Sequence, residues 1–358
     1  MTLLAKRNSK EKYLGSMTQM SDSARVQTKI VLQKFDDFCK RVFKKPEDQV
    51  IEELKIKKKI EPEDDYKLFL YEEILKPFID DLSKVYVPNG VRGMFSYFKR
   101  YLVSWGIIIY REESKLRITM PAKLKDEKHI LKKDEVRAIC NVASPKRRML
   151  YLVLSSSTMR IKETVQLRKK DFEVEDGKVT IRIKAPYTKT KTGRHTFISQ
   201  EATELLIPHL QKLQDNDLVF GVNEDPIKAK DVEEQTFGEY RKKAGFCNCD
   251  KVGIDNCKGK VTSSNHHKIT LHSFRSYSIK AINRIDFGLG NALAGHGYYM
   301  SGYDQMDIDE KREIYKQAEP SLSVFTSTEE MDTLTKTNEV LQDEIARLKM
   351  RMDKMDNP

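Results

Sequence analysis

The chain has 358 residues, of which 39% are hydrophobic and 33% charged, with a formal net charge of +11 at pH 7. This length allows two domains with separate cores, and the excess positive charge favours a polyanionic partner. No apolar run approaches the ~20 residues of a membrane span, and the amino terminus lacks the apolar core of a signal peptide. The sequence therefore predicts a cytoplasmic protein. Five cysteines, an odd number in a chain without a secretory signal, argue against a disulfide framework.

The first part of the chain is predicted to be an α-helical domain. Residues 1–20 are polar and are expected to form a flexible arm. Ser21 can then cap a helix with apolar residues at helical spacing. Further helical segments follow, with a charge-rich interval at residues 51–65 and a break at Pro77. We assign this domain to residues 21–115.

A second domain is predicted for residues 129–325, after a linker at 116–128 that contains a proline and mixed charges. Helical segments flank a run of short alternating strands, and Asp176-Gly177 and Thr192-Gly193 indicate antiparallel hairpins. The predicted fold class is thus an α-helical domain followed by an α+β domain with a small antiparallel sheet.

Three short motifs in the second domain carry side chains suited to binding a phosphate. Arg160 is followed three residues later by Glu163, then by a leucine and a basic residue. His272 and Arg275 lie three residues apart at the start of a predicted helix, so their side chains share one face and can grip one phosphate. His296 follows in Ala-Gly-His-Gly, with several tyrosines directly after it.

This combination resembles the tyrosine recombinase (phage integrase) family, and looks most similar to integrases of archaeal viruses or mobile elements. The resemblance spans residues 21–322, with its specific motifs between 158 and 303. It implies an α-helical core-binding domain and a catalytic domain that together clamp duplex DNA. One departure is Thr158-Met159, where the family usually has Gly-Leu before the arginine.

The resemblance also implies a role for each residue of these motifs. Arg160 and Arg275 would hold the scissile phosphate, and His272 would act as a general acid or base. His296 would hydrogen-bond the phosphate, and Glu163 would orient the neighbouring basic groups. No metal or nucleotide cofactor is required for this chemistry.

The nucleophile is expected to be a tyrosine, which forms a covalent ester with the phosphate. Many family members place it nine residues after the histidine that matches His296, and Gln305 occupies that position here. The candidates are Tyr298, Tyr299, Tyr303 and Tyr315. We choose Tyr303, which lies beside a glycine in a polar segment, and keep Tyr315 and Tyr299 as alternatives.

The predicted hairpin is strongly cationic, with six lysines or arginines and no acid between residues 177 and 199. The family carries a hairpin lysine that protonates the leaving 5′ oxygen, and Lys191 is the first choice for it, with Lys189 second. Lys184, Lys189 and Arg194 are predicted to contact DNA phosphates.

Two basic residues of the first domain, Lys99 and Arg100, lie beside aromatic residues. They are predicted to form a DNA-facing edge. The alternative is a solvated helix face over an aromatic core.

Cysteines and histidines cluster in a separate insertion before His272. Cys247, Cys249, Cys257 and His266 could coordinate zinc, although Cys-x-Cys is not the common Cys-x-x-Cys spacing. The alternative is a set of reduced thiols in a surface insertion, and no metal is assigned to the catalytic chemistry.

The tail, residues 326–358, carries apolar residues at heptad a and d positions, with Asn338 at one a position. This pattern predicts a short coiled-coil-like helix that can self-associate. The alternative is an amphipathic helix packed on its own or a neighbouring catalytic domain.

These features together predict a site-specific recombinase that cuts and rejoins duplex DNA through a 3′-phosphotyrosine and integrates or excises a mobile element. The resemblance implies double-stranded attachment sites, four protomers on two synapsed sites, and accessory DNA-bending factors as partners. One alternative is an architectural DNA-binding protein with a degenerate catalytic domain. Another is a nicking and resealing enzyme like a type IB topoisomerase.

Overall fold

A computed structural model describes residues 9–18, 20–125, 129–253, 257–259, 266–297 and 306–325. The chain divides into two compact units, Met1–Asp126 and Glu127–Pro358, and the division falls within the segment predicted as a linker. The predicted coiled-coil tail lies outside the described residues. In the described ranges, no helix is both long and apolar enough to cross a membrane.

The first unit is helical. It contains α1 (Ser9–Ser16), α2 (Asp22–Val42), α3 (Glu47–Ile60), α4 (Glu63–Leu68), a π-helical turn (Phe69–Leu75), α5 (Lys76–Ser83), α6 (Pro88–Ser104) and α7 (Arg111–Arg117). Its core centres on three phenylalanine rings, since the Phe98 centroid lies 4.5 Å from that of Phe35 and 4.8 Å from that of Phe78. Ser21 caps α2 by accepting the Ala24 N–H at 3.4 Å.

Three local predictions in this unit differ from the structure. Helix α1 lies inside the segment predicted as a flexible arm, because the Tyr13 ring packs against Tyr101 at 5.2 Å and the Lys10 N–H donates to Glu47 at 3.2 Å. The charge-rich interval is mostly helix α3, in which Ile51 and Leu54 are buried in the core. Pro77 does not break the helix, since residues 63–83 are helical without interruption and the π-helical turn Phe69–Leu75 comes directly before α5.

The second unit surrounds a three-stranded antiparallel sheet with helices. The strands are β1 (Phe172–Glu175), β2 (Lys178–Ile183) and β3 (Arg194–Phe197), in the order β1-β2-β3. The helices are α8 (Lys133–Val142), α9 (Pro145–Ser157), α10 (Ile161–Thr164), α11 (Gln200–Leu210), α12 (Pro226–Lys243), α13 (Cys249–Val252), α14 (Leu271–Asn283), α15 (Phe287–Leu293) and α16 (Ile308–Leu322). Short 3₁₀ turns cover Lys169–Asp171 and Ala185–Tyr187.

The predicted small antiparallel sheet is confirmed, including its first hairpin. Asp176 and Gly177 both have positive φ (49° and 71°), as a two-residue turn of type I′ requires. Register pairs Phe172 with Ile181 and Thr180 with Phe197. Strand β3 is therefore fixed at the edge next to β2.

Helices α9 and α14 form the centre of this unit. Helix α9 is buried from residue 149 to residue 157, as expected of a helix that is apolar on all sides. Helix α14 packs on α9, α15 and α16, and the Tyr151 and Phe274 rings stack at 5.4 Å. Because α9 leads directly to Arg160, this packing brings the first predicted motif to the helix that carries the second.

Helix α9 ends at Thr158, which is buried and adopts the left-handed conformation with φ 59° and ψ 8°. A β-branched residue is rare in this region, where glycine is favoured. Thr158 therefore occupies a left-handed turn that glycine, the usual residue of the resembling family at this position, would form without strain.

We expect Thr158→Gly to be about 1 kcal/mol more stable than Thr158→Ala, because only glycine relieves the left-handed strain. Alanine is the matched control, since both changes remove the buried hydroxyl. Denaturant unfolding of the two variants measures the difference, and equal stability would contradict the strain.

Candidate active site

A buried carboxylate connects the first motif to the sheet. Glu163 is 1% exposed. It accepts hydrogen bonds from the Arg160 backbone N–H at 3.0 Å and from the Arg160 guanidinium at 2.8 Å. Arg160 stands just before α10, so this reciprocal contact closes the first helical turn and holds the arginine side chain in one direction. Glu163 thus orients Arg160.

Arg194 is the second partner of Glu163. Its Nη2 donates to Glu163 at 2.7 Å and its Nε to the Leu293 carbonyl at 2.7 Å. The side chain is only 4% exposed. A Cβ at Gly295, where φ is +75°, would lie 3.1 Å from Nη1, so the chain packs directly against the guanidinium. The prediction that Arg194 contacts DNA is therefore corrected, because the side chain is buried and its Nε and Nη2 donate inside the protein.

The pKa of Glu163 reflects these contacts. Burial on its own raises the pKa of this carboxyl, but Arg194 and then Arg160 more than offset the burial, so the pKa lies below its ordinary value. Glu163 is therefore ionised at neutral pH.

Arg275 is held next to Arg160 by backbone carbonyls. It lies in α14, is 2% exposed, and donates to the carbonyls of Thr158 and Ala294, the latter at 2.5 Å. Burial, and then the charge of Arg160, lower the pKa of Arg275 to about 9. The guanidinium remains charged at neutral pH, so two cations are fixed side by side. Such a pair is relieved by binding an anion.

His296 completes this cluster. Its Nδ1 lies 2.8 Å from Oδ1 of Asn291, whose side-chain amide donates to the Phe287 carbonyl at 2.7 Å. The amide orientation makes Nδ1 of His296 the donor and leaves Nε2 as the other ring nitrogen. Burial, followed by the charges of Arg275, Arg160 and Arg194, lowers the pKa of His296. A bound anion would offset the three arginine charges and so raise the pKa of the imidazole again.

The sequence did not point to Asn291, although a single polar residue within the apolar run of α15 is a usable signal.

His272 lies in the first turn of α14, one turn before Arg275, and its side chain is exposed. The structure thus places four predicted residues around one position: Arg160, Glu163, Arg275 and His296.

The hairpin lysines occupy different environments. Lys191 is exposed and has φ +58° in the turn, which the Thr188 hydroxyl closes by accepting the Thr192 N–H at 3.1 Å. Lys189 is also exposed. Lys184 instead forms an ion pair with the buried Asp171 at 2.5 Å. It could contact a DNA phosphate only while also bonded to that carboxylate.

Of the four candidate nucleophiles, the structure describes only Tyr315. Tyr298, Tyr299 and Tyr303 lie outside the described residues. Tyr315 is buried in α16, where its hydroxyl donates to the Ser156 carbonyl at 3.0 Å, and burial raises its pKa well above the ordinary value. In this conformation Tyr315 is a structural residue, because its hydroxyl is buried and already hydrogen-bonded.

The basic pair of the first unit lies on α6. Phe95, Phe98 and Leu102 of that helix are buried in the core, Lys99 is half-buried and Arg100 is exposed. The aromatic residues are therefore core, and the two charges remain available on the outer side of α6.

Comparison with known proteins finds one family model and several solved structures of similar fold. Residues 129–284 match the model of the phage integrase family. The matched residues all lie in the second unit. No curated protein matches the chain at a significant level.

Solved structures share the fold over most of the chain. A lambda integrase dimer bound to a COC′ core site has a TM-score of 0.53 at 12% identity, over 85% of this chain and 100% of that one. The Tn1549 transposon integrase in complex with transposon right end DNA has a TM-score of 0.52 at 9% identity, over 87% and 98%. The XerH site-specific recombinase in a post-cleavage complex has a TM-score of 0.51 at 17% identity, over 86% and 84%.

The Glu163 ion pairs yield a pH-dependent prediction. Because folding lowers the pKa of this carboxyl, its stabilisation is complete above the ordinary pKa and is lost as pH falls through the folded-state pKa. Glu163→Gln should lower the free energy of unfolding by about 3 kcal/mol at pH 7, since it leaves the charge of Arg194 buried and unpaired.

The difference from the wild type should shrink in acid as the pH falls through the lowered pKa of Glu163, where the wild-type carboxyl also becomes neutral. Denaturant titrations across this range measure it. Glu175→Gln, an exposed carboxylate on β1, is the control and should change little. A Glu163→Gln penalty that stays constant in acid would contradict the ion-pair account.

Proposed function

We propose that this protein is a tyrosine-type site-specific DNA recombinase that cuts and rejoins duplex DNA through a 3′-phosphotyrosine intermediate. The observation that supports this most is the fixed pair Arg160 and Arg275 beside His296, within a phage integrase family domain. Two buried or half-buried guanidinium groups match the two non-bridging oxygens of one phosphodiester.

In the proposed reaction, Arg160 and Arg275 bind these oxygens and offset the charge that develops at phosphorus. Tyr303 attacks with its hydroxyl oxygen, a bond from that oxygen to phosphorus forms, and the bond to the 5′ oxygen breaks. A tyrosine with an ordinary pKa of about 10 needs such a cationic surround to react near neutrality. His272 takes the hydroxyl proton, and Lys191 gives a proton to the leaving 5′ oxygen.

His296 and Glu163 act differently in this scheme. Phosphate binding would raise the lowered pKa of His296 and turn its Nε2 into a donor to the phosphate. Glu163 remains ionised and orients Arg160. The phosphodiester energy is kept in the tyrosine ester, so a 5′ hydroxyl can reverse the reaction on a new strand without a nucleotide cofactor.

The proposed substrate is a pair of double-stranded attachment sites, cut by four protomers and exchanged through a Holliday junction. Lys99 and Arg100 on the first unit, and Lys189 on the hairpin, would contact DNA phosphates. We infer a role in integrating or excising a mobile element, of the kind carried by archaeal viruses, with accessory DNA-bending factors.

A second candidate is an architectural DNA-binding protein without strand-cleaving activity. It is favoured by Gln305 at the usual tyrosine position and by the buried hydroxyl of Tyr315. The intact arrangement of Arg160, Glu163 and Arg275 favours the enzyme, because binding DNA does not require that geometry.

A nicked suicide duplex tests the proposal. The duplex is built on a binding site selected from random-sequence DNA, and its nick lets the 5′ fragment diffuse away after cleavage. The wild type should accumulate a covalent protein–DNA adduct, and peptide mapping should identify Tyr303. Tyr303→Phe should abolish the adduct because it lacks the attacking oxygen, whereas Tyr315→Phe should retain it.

Each result separates the candidates. No wild-type adduct would favour the architectural protein, and an adduct that survives Tyr303→Phe would reject this nucleophile alone. Exchange between two labelled sites then distinguishes recombination from relaxation of supercoiled DNA by a topoisomerase-like activity.

A further inference from the structure

The insertion between α12 and α14 brings three cysteines and one histidine together. Ligand atoms of Cys247, Cys249, Cys257 and His267 all lie within 4.8 Å of one another. We propose that these four residues bind a structural zinc ion. The fourth member is His267 rather than the predicted His266.

The sulfur positions fit a metal better than a disulfide. The Cys247 sulfur lies 3.1 Å from that of Cys249 and 3.4 Å from that of Cys257. A disulfide needs a separation of about 2.05 Å. Sulfurs on a tetrahedral zinc, with Zn–S bonds of about 2.3 Å, stand about 3.8 Å apart. A zinc ion would therefore move these sulfurs apart by about 0.4 to 0.7 Å.

The imidazole is arranged as a metal ligand. Nδ1 of His267 is buried and has no hydrogen-bond partner among the described residues. The backbone of Gly259 forms a hydrogen bond with the same ring. A zinc-bound histidine characteristically gives one nitrogen to the metal and its other N–H to a carbonyl or carboxylate. This combination explains an otherwise costly unpaired nitrogen.

Hydrogen bonds of the backbone hold the ligand-bearing segments together without the help of a metal. The Lys258 N–H donates to the Asn248 side chain at 3.0 Å, and the Lys268 N–H donates to the Gly259 carbonyl at 2.7 Å. A Cβ at Gly259 would lie 2.3 Å from the Phe246 carbonyl oxygen, so only glycine allows this close approach. The cluster is therefore built by the fold rather than by chance proximity of side chains.

The ligand set indicates which ion binds and what it does. Three thiols and an imidazole favour zinc over magnesium or calcium, which prefer oxygen ligands. Four protein ligands fill a tetrahedral sphere and leave no position for water or substrate, so the ion is structural.

The position of the cluster gives the ion a role near the active site. His267 lies five residues before His272, and Arg241 of α12 donates to the Ile269 carbonyl at 3.1 Å. Arg160, His267 and His272 line one pocket of about 560 Å³. The ion thus ties the end of α12 to the start of α14 and steadies the helix that carries His272 and Arg275.

Metal analysis of the full-length protein tests this proposal without DNA. Protein purified without chelators should contain about one zinc ion per chain. Cys257→Ser and His267→Ala should reduce the zinc content to background. Cys140→Ser, which alters a fully buried cysteine of α8, is the matched control and should leave the content unchanged.

A cobalt experiment on the wild type covers the case in which the cluster variants do not fold. Replacement of the ion by Co²⁺ should give the intense visible bands of a tetrahedral site together with thiolate-to-cobalt charge transfer. Absence of both zinc and these bands, or a disulfide between any two of the three cysteines in protein kept under reducing conditions, would overturn the proposal. Equal zinc in the wild type and in folded Cys257→Ser would also overturn it.

Discussion

The candidate active site depends on one buried carboxylate between two arginines. Glu163 accepts from Arg160 on one side and from Arg194 on the other, and without its charge Arg194 would be a buried cation with no counterion. An unpaired buried charge costs several kcal/mol, so Glu163 and Arg194 are stable only as a pair, which the half-buried Arg160 joins from the other side. This set joins helix α10 to strand β3, and Arg194 extends it to Leu293 at the end of α15.

The same stretch at the end of α15 also fixes the second cation. The carbonyl of Ala294, one residue after Leu293, accepts from Arg275, which in turn holds the Thr158 carbonyl at the end of α9. Segments distant in sequence are thus locked around one position by charge-assisted hydrogen bonds. Folding brings like charges close at a cost in free energy, and under the proposed function the binding of a phosphodiester would offset that cost.

Much of this site was predictable because its residues occur at characteristic spacings. Arg160, His272, Arg275 and His296 were identified from short motifs, and the structure gathers Arg160, Arg275 and His296 around one position. The role of Arg194 was not predictable, because an arginine in a cationic hairpin has the same local signature whether it faces DNA or a buried carboxylate. Only the tertiary position of Glu163 shows that Arg194 faces the buried carboxylate.

Other differences have similar causes. The choice between His266 and His267 depends on backbone direction near Gly259, which the cysteine spacing does not encode. Helix α1 was missed because its short polar sequence is stabilised by contacts with Tyr101 and Glu47, both far along the chain. Local patterns predicted the helical character of the chain and the small antiparallel sheet, whereas the long-range polar contacts follow only from the tertiary structure.

The central claim is that the arginine pair binds and neutralises one phosphodiester, and a neutral substrate tests it most directly. Arg160 is half-buried and can be removed while Arg194 still pairs with Glu163. Rates of adduct formation by wild type and Arg160→Ala are compared on a suicide duplex with either a phosphate or an uncharged methylphosphonate at the cleavage position. We predict a large loss on the phosphate and a much smaller loss on the methylphosphonate, because charge neutralisation is no longer needed. Equal losses on both substrates would contradict the account.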